Sequence, residues 1–434
     1  MFDFLRNLFC FTNLGECNNP QKAQTKKFKS KILVLFLTHK RLFDSIGGIE
    51  SMGRLLLSKL MDYGIPFSLI SKDFLPEITF VQPTNDSSQR SEKLLSRDLA
   101  FFLYTFKEII ISLLLVLPTI YAIKLARKRG FIPVILSFDS FGGLTGLLSA
   151  KITGAPFIVQ THGLYIRFID AQTKNPITRI ILLGIEKAVI RNATMILSVN
   201  DETLEYYKRY YNITKTKCLL IPTPIDVEHF APISQLRNRV RKELGIDASS
   251  NVIGFVGRLS YEKNVEFLLL AFKKAVDTLS IPVNSILLVV GDGPLKMQLN
   301  HLSAELSISA QVVFTGFRRD VYRLMNSMDV LVLPSKAEGI PCVALEAMAC
   351  GVPVILSNIR CHKELVNKAK CGLIFDLKHL EDLVRCLSII LNDYGLREKM
   401  SSNGRVYVVT NHSLDNVFKE YFQVFKDCIK IQYS

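Results

Sequence analysis

The feature that most constrains this chain is a repeated alternation of fully apolar, strand-length runs with helical patterns, in two successive series. The first series opens with KILVLFLTH from Lys31 and continues through PFSLIS, VILSF (134–138), FIVQTH (157–162), MILSV (195–199) and CLLIP (218–222). The second runs through NVIGFVG, ILLVVG, VVFTG, VLVLPS, VPVILS and LIFD. These runs are too continuous for strands with one wet face, so they predict strands buried on both faces. Helical patterns between them predict parallel sheets wrapped by helices, an α/β architecture. Between the series lies PTPIDVEHFAP (222–232), whose prolines resist both helix and central strand. The domain junction is expected there. At roughly 150 residues per domain, 434 residues suit such a division.

With 49% apolar and 21% charged residues, disorder and low-complexity classes are excluded for the whole chain. Net charge is +15, and residues 1–230 carry 29 basic against 19 acidic side chains. A basic surface aids solubility, and it also suits an anionic partner. The basic residues are not interleaved with aromatics in any nucleic-acid-binding module, so no nucleic-acid partner is expected. Nine cysteines without C-x-x-C or zinc spacing fit a reducing compartment. The longest uncharged run, Ile109–Ile123, has 15 residues and contains Pro118. A membrane span wants about 20, so a buried or interfacial helix is expected. The apolar tip MFDFLRNLFCF and the basic linker NNPQKAQTKKFKSK (18–31) offer a second route to anionic lipid.

In open α/β sheets, ligands bind beyond the carboxyl ends of strands. In the second series those ends carry chemistry. Gly257 is followed by Arg258 and Lys263; Gly291 by Asp292-Gly293-Pro294; Gly316 by Phe317; and VLVLPS by KAEGIPCVALEAMACG. Arginine as a planar fork and lysine as a point charge can neutralise a diphosphate. Gly339-Ile340-Pro341 opens a helix at about 342, with Pro341 expected at the first helical position and free N–H groups offered to phosphate. Carboxylates accept paired hydroxyls, so Glu338 suits a sugar and Glu346 a ribose diol. Singly, each of these residues is commonly a solvated charge; together, at successive strand ends, they describe a nucleotide-sugar site. No D-x-D triplet occurs, so no metal is expected. Walker and G-x-G-x-x-G motifs are also absent.

FVGRLSYEKN, VVGDGP, VFTGF and AEGIPCVALEAMACGVPVI resemble the donor-binding signature of the retaining glycosyltransferases of family 4, which have the GT-B fold. The Glu-x7-Glu spacing of Glu338 and Glu346 is its most specific element. The likeness runs from about 31 to 430 and is strongest over 251–357. It implies that Arg258 and Lys263 bind the donor diphosphate, Glu338 touches the transferred sugar, Glu346 holds the ribose, and Gly316-Phe317 lie near the base. It also places Gly47-Gly48 at the family's glycine turn near the phosphates, and His162 of THG against the donor sugar. Three positions depart from the family: Pro222-Thr223-Pro224 replaces a Pro-Asn-Gly turn, LSFDS (136–140) lacks the usual histidine, and Cys342 stands where glycine is common.

The expectation is therefore GT-B: a basic segment 1–30, a Rossmann-like acceptor domain 31–225, a Rossmann-like donor domain 226–410 facing it across a cleft, and a helix 411–434 crossing back. The expected reaction moves a hexose from a UDP or GDP sugar, with retention, onto a saccharide or a lipid-phosphate-linked acceptor in surface polysaccharide or glycolipid synthesis. The departing phosphate itself helps deprotonate the acceptor by the family's route. No cofactor is expected, and the location expected is cytoplasmic, peripheral on the membrane face. A GT-B nucleotide-sugar epimerase, or a non-catalytic nucleotide-sugar-binding protein, is the alternative.

Overall fold

The computed structural model describes residues 31–38, 48–71, 90–138, 140–213 and 217–433. Contacts divide the chain into two compact units, one reaching Pro222 and resuming at Val417, the other spanning Thr223–Asn416. The division falls near the expected 225/226 and 410/411 boundaries. It is drawn by backbone pairing inside the second unit: Ile225 N–H donates to the His412 carbonyl (2.7 Å) and Leu414 N–H to the Ile225 carbonyl (3.0 Å).

Among the described residues the first unit holds β1 (Ile32–Thr38), α1 (Gly48–Asp62), β2 (Phe67–Ser71), α2 (Arg90–Leu114), α3 (Val116–Lys128), β3 (Ile132–Ser137), α4 (Ser140–Thr153), β4 (Phe157–Thr161), α5 (Tyr165–Gln172), α6 (Pro176–Asn192), β5 (Met195–Ser198), α7 (Asp201–Tyr211) and β6 (Cys218–Leu220). Its sheet is wholly parallel, in the order β2-β1-β3-β4-β5-β6. All seven residues of β1 are buried. Ile32, Val34 and Phe36 enter one apolar core and Leu33, Leu35 and Leu37 the other, the two-residue alternation of a strand covered on both sides.

The second unit holds α8 (Ser234–Glu243), β7 (Asn251–Val256), α9 (Val265–Asp277), β8 (Ser285–Val290), α10 (Lys296–Glu305), β9 (Val312–Gly316), α11 (Val321–Met325), β10 (Val330–Leu333), α12 (Cys342–Ala349), β11 (Val354–Ser357), α13 (Arg360–Ala369), β12 (Gly372–Phe375), α14 (Leu380–Asn392) and α15 (Tyr394–Asn411). Its parallel sheet runs β12-β11-β10-β7-β8-β9. The chain builds outward from β7 through β8 to β9, then returns to the other side of β7 as β10. That reversal is the topological switch point, where the ends of β7 and β10 diverge and leave room for a ligand.

The last helix, α16 (Leu414–Tyr433), buries Val417, Phe418, Tyr421, Val424, Phe425 and Cys428 in the first unit's core. Their three- and four-residue spacing puts them on one face, and the Tyr421 hydroxyl donates to Gln160 Oε1 at 2.8 Å. Helices α8 and α15 have no counterpart in the sequence reading. Each packs an apolar stripe on the core, Leu236 and Val240 in α8 and Met400, Tyr407 and Val408 in α15, and each is also anchored by an arginine. Arg241 is 1% exposed and donates to Asp329 Oδ2 (2.9 Å) and to the Ser327, Ala248 and Ser250 carbonyls. Arg405 donates to the Val227, Phe230 and Ala349 carbonyls.

Candidate functional site

Loops from the four strand ends of the second sheet are bonded to one another. Leu259 N–H donates to the Asp292 carbonyl (2.9 Å), Gly291 N–H to the Gly316 carbonyl (2.9 Å) and Lys336 N–H to the Glu262 carbonyl (2.8 Å). This stitching requires glycine at two of the expected positions. A Cβ on Gly291 would stand 1.9 Å from the Gly257 carbonyl oxygen, and one on Gly293 would stand 2.5 Å from that of Leu259. Both would collide with backbone, which cannot swing aside.

Lys263 and Glu338 meet at the switch point, one after β7 and the other after β10. Lys263 Nζ donates to Glu338 Oε1 at 2.9 Å, with the Glu338 side chain 6% exposed and the Lys263 side chain 24%. The Ser335 hydroxyl donates to the same carboxylate oxygen. On the other side, His362 Nε2 lies 4.0 Å from Glu338 Oε2. Burial alone would raise the Glu338 carboxyl, but His362, Lys263 and Ser335 outweigh it and hold it at about 2. Glu338 is thus a fixed negative charge at neutral pH. A lysine has three donors, so Lys263 can keep Glu338 and still reach a phosphate oxygen.

His362 lies outside the expected site. It sits in α13, is fully buried, and its Nδ1 lies 3.0 Å from the Ser357 hydroxyl and 3.1 Å from the Ser357 carbonyl. The Ser357 hydroxyl in turn donates to the Ser335 carbonyl (2.6 Å). Its hydrogen is therefore committed, and Nδ1 is the donor toward Ser357, while Nε2 faces Glu338 without a hydrogen bond to it. Nothing in IRCHKEL marks this role. Only the neighbouring ends of β10 and β11 bring Ser335, Ser357 and His362 to one place.

Glu346 stands one turn into α12, beyond Cys342. Burial raises its carboxyl to about 7. Burial likewise pushes the Cys342 thiol up to about 12, with Glu346 and Glu338 adding to the effect and Lys263 opposing it. Two carboxyls eight residues apart are thus set to opposite ionisation, one held charged and one balanced at neutrality, a pattern of functional sites.

Two expectations are corrected. Pro341 caps α12 rather than forming its first residue, with its carbonyl accepting from Ala344 (2.9 Å) and Leu345 (3.1 Å). Cys342 N–H donates to the Ile340 carbonyl (2.9 Å). These internal bonds occupy N–H groups that the sequence reading offers to phosphate. Arg258 is exposed on the β7 loop, where its charge helps hold the Glu262 carboxyl down.

Other expected residues take the following places. Gly257 follows β7; Gly316 ends β9, and Phe317 beside it is 49% exposed. Gly339 and Ile340 lie in the loop before α12, with Ile340 packed on the core. His162 follows β4 in the first unit, its ring 5.6 Å from that of Phe138. Gly48 begins α1, while Gly47 lies outside the described residues.

Two family models match the chain: Glycosyl transferases group 1 over residues 237–407 and Glycosyltransferase Family 4 over 77–229. The chain is 28% identical over 293 residues to the Escherichia coli UDP-Gal:alpha-D-GlcNAc-diphosphoundecaprenol alpha-1,3-galactosyltransferase, covering 67% of this chain and 74% of that protein. It is 25% identical over 350 residues to the Campylobacter jejuni N,N'-diacetylbacillosaminyl-diphospho-undecaprenol alpha-1,3-N-acetylgalactosaminyltransferase, covering 80% and 90%. Anabaena HepE, solved in complex with UDP, shares the fold at a TM-score of 0.67 and 17% identity, covering 91% of this chain and 99% of that one. The switch-point site, the two parallel sheets and these matches identify the chain as a group 1 glycosyltransferase of GT-B fold.

Proposed function

We propose that the protein transfers a hexose from a UDP sugar to a diphospholipid-linked saccharide, with retention of anomeric configuration, in glycan assembly. The observation that carries this reading is the Lys263–Glu338 pair at the β7/β10 switch point, with Glu346 one turn into the following helix. Lys263 and Arg258 take the diphosphate, charge-assisted contacts that strengthen as the leaving group gains charge. They do so without a metal. Glu338, ionised at neutral pH, accepts hydroxyls of the transferred sugar, and Glu346 accepts the ribose diol. The first unit takes the acceptor. The finer chemistry is supported by two relatives: both, by name, act on diphospho-undecaprenol-linked sugars and form alpha-1,3 linkages, and one uses UDP-galactose. Nucleotide sugars are cytoplasmic metabolites, so the enzyme works on that side.

The test is transfer from radiolabelled UDP sugars to a synthetic polyprenyl-diphosphate-linked amino sugar, with the product's anomeric linkage read by NMR. An α-linked product supports the reading. Release of free UDP and an altered monosaccharide without any acceptor would instead describe an epimerase.

A further inference from the structure

We propose that α2 and α3 form a platform that lies flat on an anionic lipid surface. These helices are packed inside out. Leu103, Phe106, Ile110, Leu113, Leu117 and Tyr121 are all exposed, from 39% to 75%. At 100° per residue they fall within an arc of about 80°, a single seam running along both helices. The opposite face, which meets the protein, is where the polar groups lie: Thr105, Glu108, Ser112 and Thr119 are each 2% exposed or less. A helix on a water-facing surface places these types the other way round. The seam is therefore built for an apolar surround.

Several facts select a bilayer surface over a span or a second protein copy. The stretch Phe101–Lys128, 28 residues containing an 18-residue window of mean hydropathy 2.3, is long and apolar enough to cross a membrane. It is nevertheless fastened along its length. The Thr145 hydroxyl donates to the Ser112 carbonyl (3.0 Å), the Ser112 hydroxyl lies 3.2 Å from the Phe141 carbonyl, and Arg127 Nη1 donates to the Thr153 carbonyl (2.7 Å). Ile111, Leu115 and Ile123 belong to the first unit's core. A span would have to tear these away. Charge chooses the lipid. Between Leu99 and Arg129 the cations are Lys107, Lys124, Arg127, Lys128 and Arg129, and the single carboxylate, Glu108, is buried. Lys124 and Lys128 continue the apolar seam at its end by the same helical spacing. An apolar stripe with cations at its margin is the pattern of a helix in the headgroup layer of an anionic leaflet. The inference is independent of the donor reading, because no residue of the seam belongs to the second unit.

The test is sedimentation of the full chain with vesicles of phosphatidylglycerol and phosphatidylcholine in equal parts, and with phosphatidylcholine alone. The exposed triple variant Phe106→Ser, Ile110→Ser, Leu117→Ser should keep its unfolding temperature and UDP affinity and lose at least about a hundredfold in partitioning to the anionic vesicles. Lys124→Glu with Lys128→Glu should lose at least about tenfold on anionic vesicles and nothing on neutral ones. Binding by the triple variant equal to that of the unchanged chain would overturn the proposal, and would point instead to the basic segment 18–31. A stable dimer that the triple variant dissolves would also overturn it, as would resistance of the bound chain to alkaline carbonate.

Discussion

Glu346→Gln tests the site where its chemistry is most quantitative. The Glu346 carboxyl is raised from 4.5 to about 7 by burial alone. A folded value above the unfolded one means that stability is fully present below 4.5 and is lost as pH rises through about 7. The whole displacement corresponds to about 3 kcal/mol, and to about 2 kcal/mol after allowance for the side chain's partial exposure. Glutamine, of the same shape, has no such dependence. Between pH 5 and pH 8 the variant should therefore gain about 4–8 °C on the unchanged protein in the unfolding of the second unit. Ligand binding supplies an independent reading. Ribose hydroxyls donating to Glu346 favour its ionised form, so UDP binding near pH 7 should release about half a proton, and binding to Glu346→Gln none. Calorimetry in two buffers of different ionisation enthalpy measures that proton directly. Equal proton release by both proteins, or a stability gap that is flat with pH, would refute the assignment of Glu346 as a buried, ribose-facing carboxyl.

Lys263→Ala and Arg258→Ala should each weaken UDP binding or turnover about ten- to a hundredfold, the loss of one charge-assisted contact; unchanged affinity in both would remove the diphosphate from this loop. His362→Leu should let the Glu338 carboxyl rise from about 2, so acid loss of UDP binding begins about one pH unit higher than in the unchanged protein. The sign follows from a depressed carboxyl, whose charged form is lost as pH falls, and an unmoved acid limb would mean that His362 only fills space. Asp329→Ala strands the buried Arg241 guanidinium and should cost about 3–5 kcal/mol in urea unfolding. A midpoint equal to that of the unchanged chain would show that Arg241 is satisfied by carbonyls alone.

Strand and helix alternation was readable because strands such as Ile32–Thr38 are buried on both faces and carry no polar interruption. The pairing of Lys263 with Glu338 was half readable. Each stood at a strand end, but their contact depends on β10 returning beside β7, which residue spacing does not encode. His362 was invisible for the same reason, being joined to Glu338 through Ser335 and Ser357 across neighbouring strands. The helix α15 is hard to read because its apolar stripe is thin, Met400, Tyr407 and Val408, and its packing also rests on Arg405 and on Gly404, where a Cβ would stand 3.2 Å from Cys371 Cβ. The apolar run at 109–123 reads as a buried or interfacial helix, and its polar-inward orientation needs the seat provided by α4.

Hydrogen exchange of the full chain with and without UDP tests the central claim most directly, that the nucleotide rests at the β7/β10 switch point. Slowed exchange is predicted at 257–264, 291–296 and 338–346, and its disappearance in Lys263→Ala at the same UDP concentration. Protection confined to the first unit, or equal protection in the variant, would contradict it.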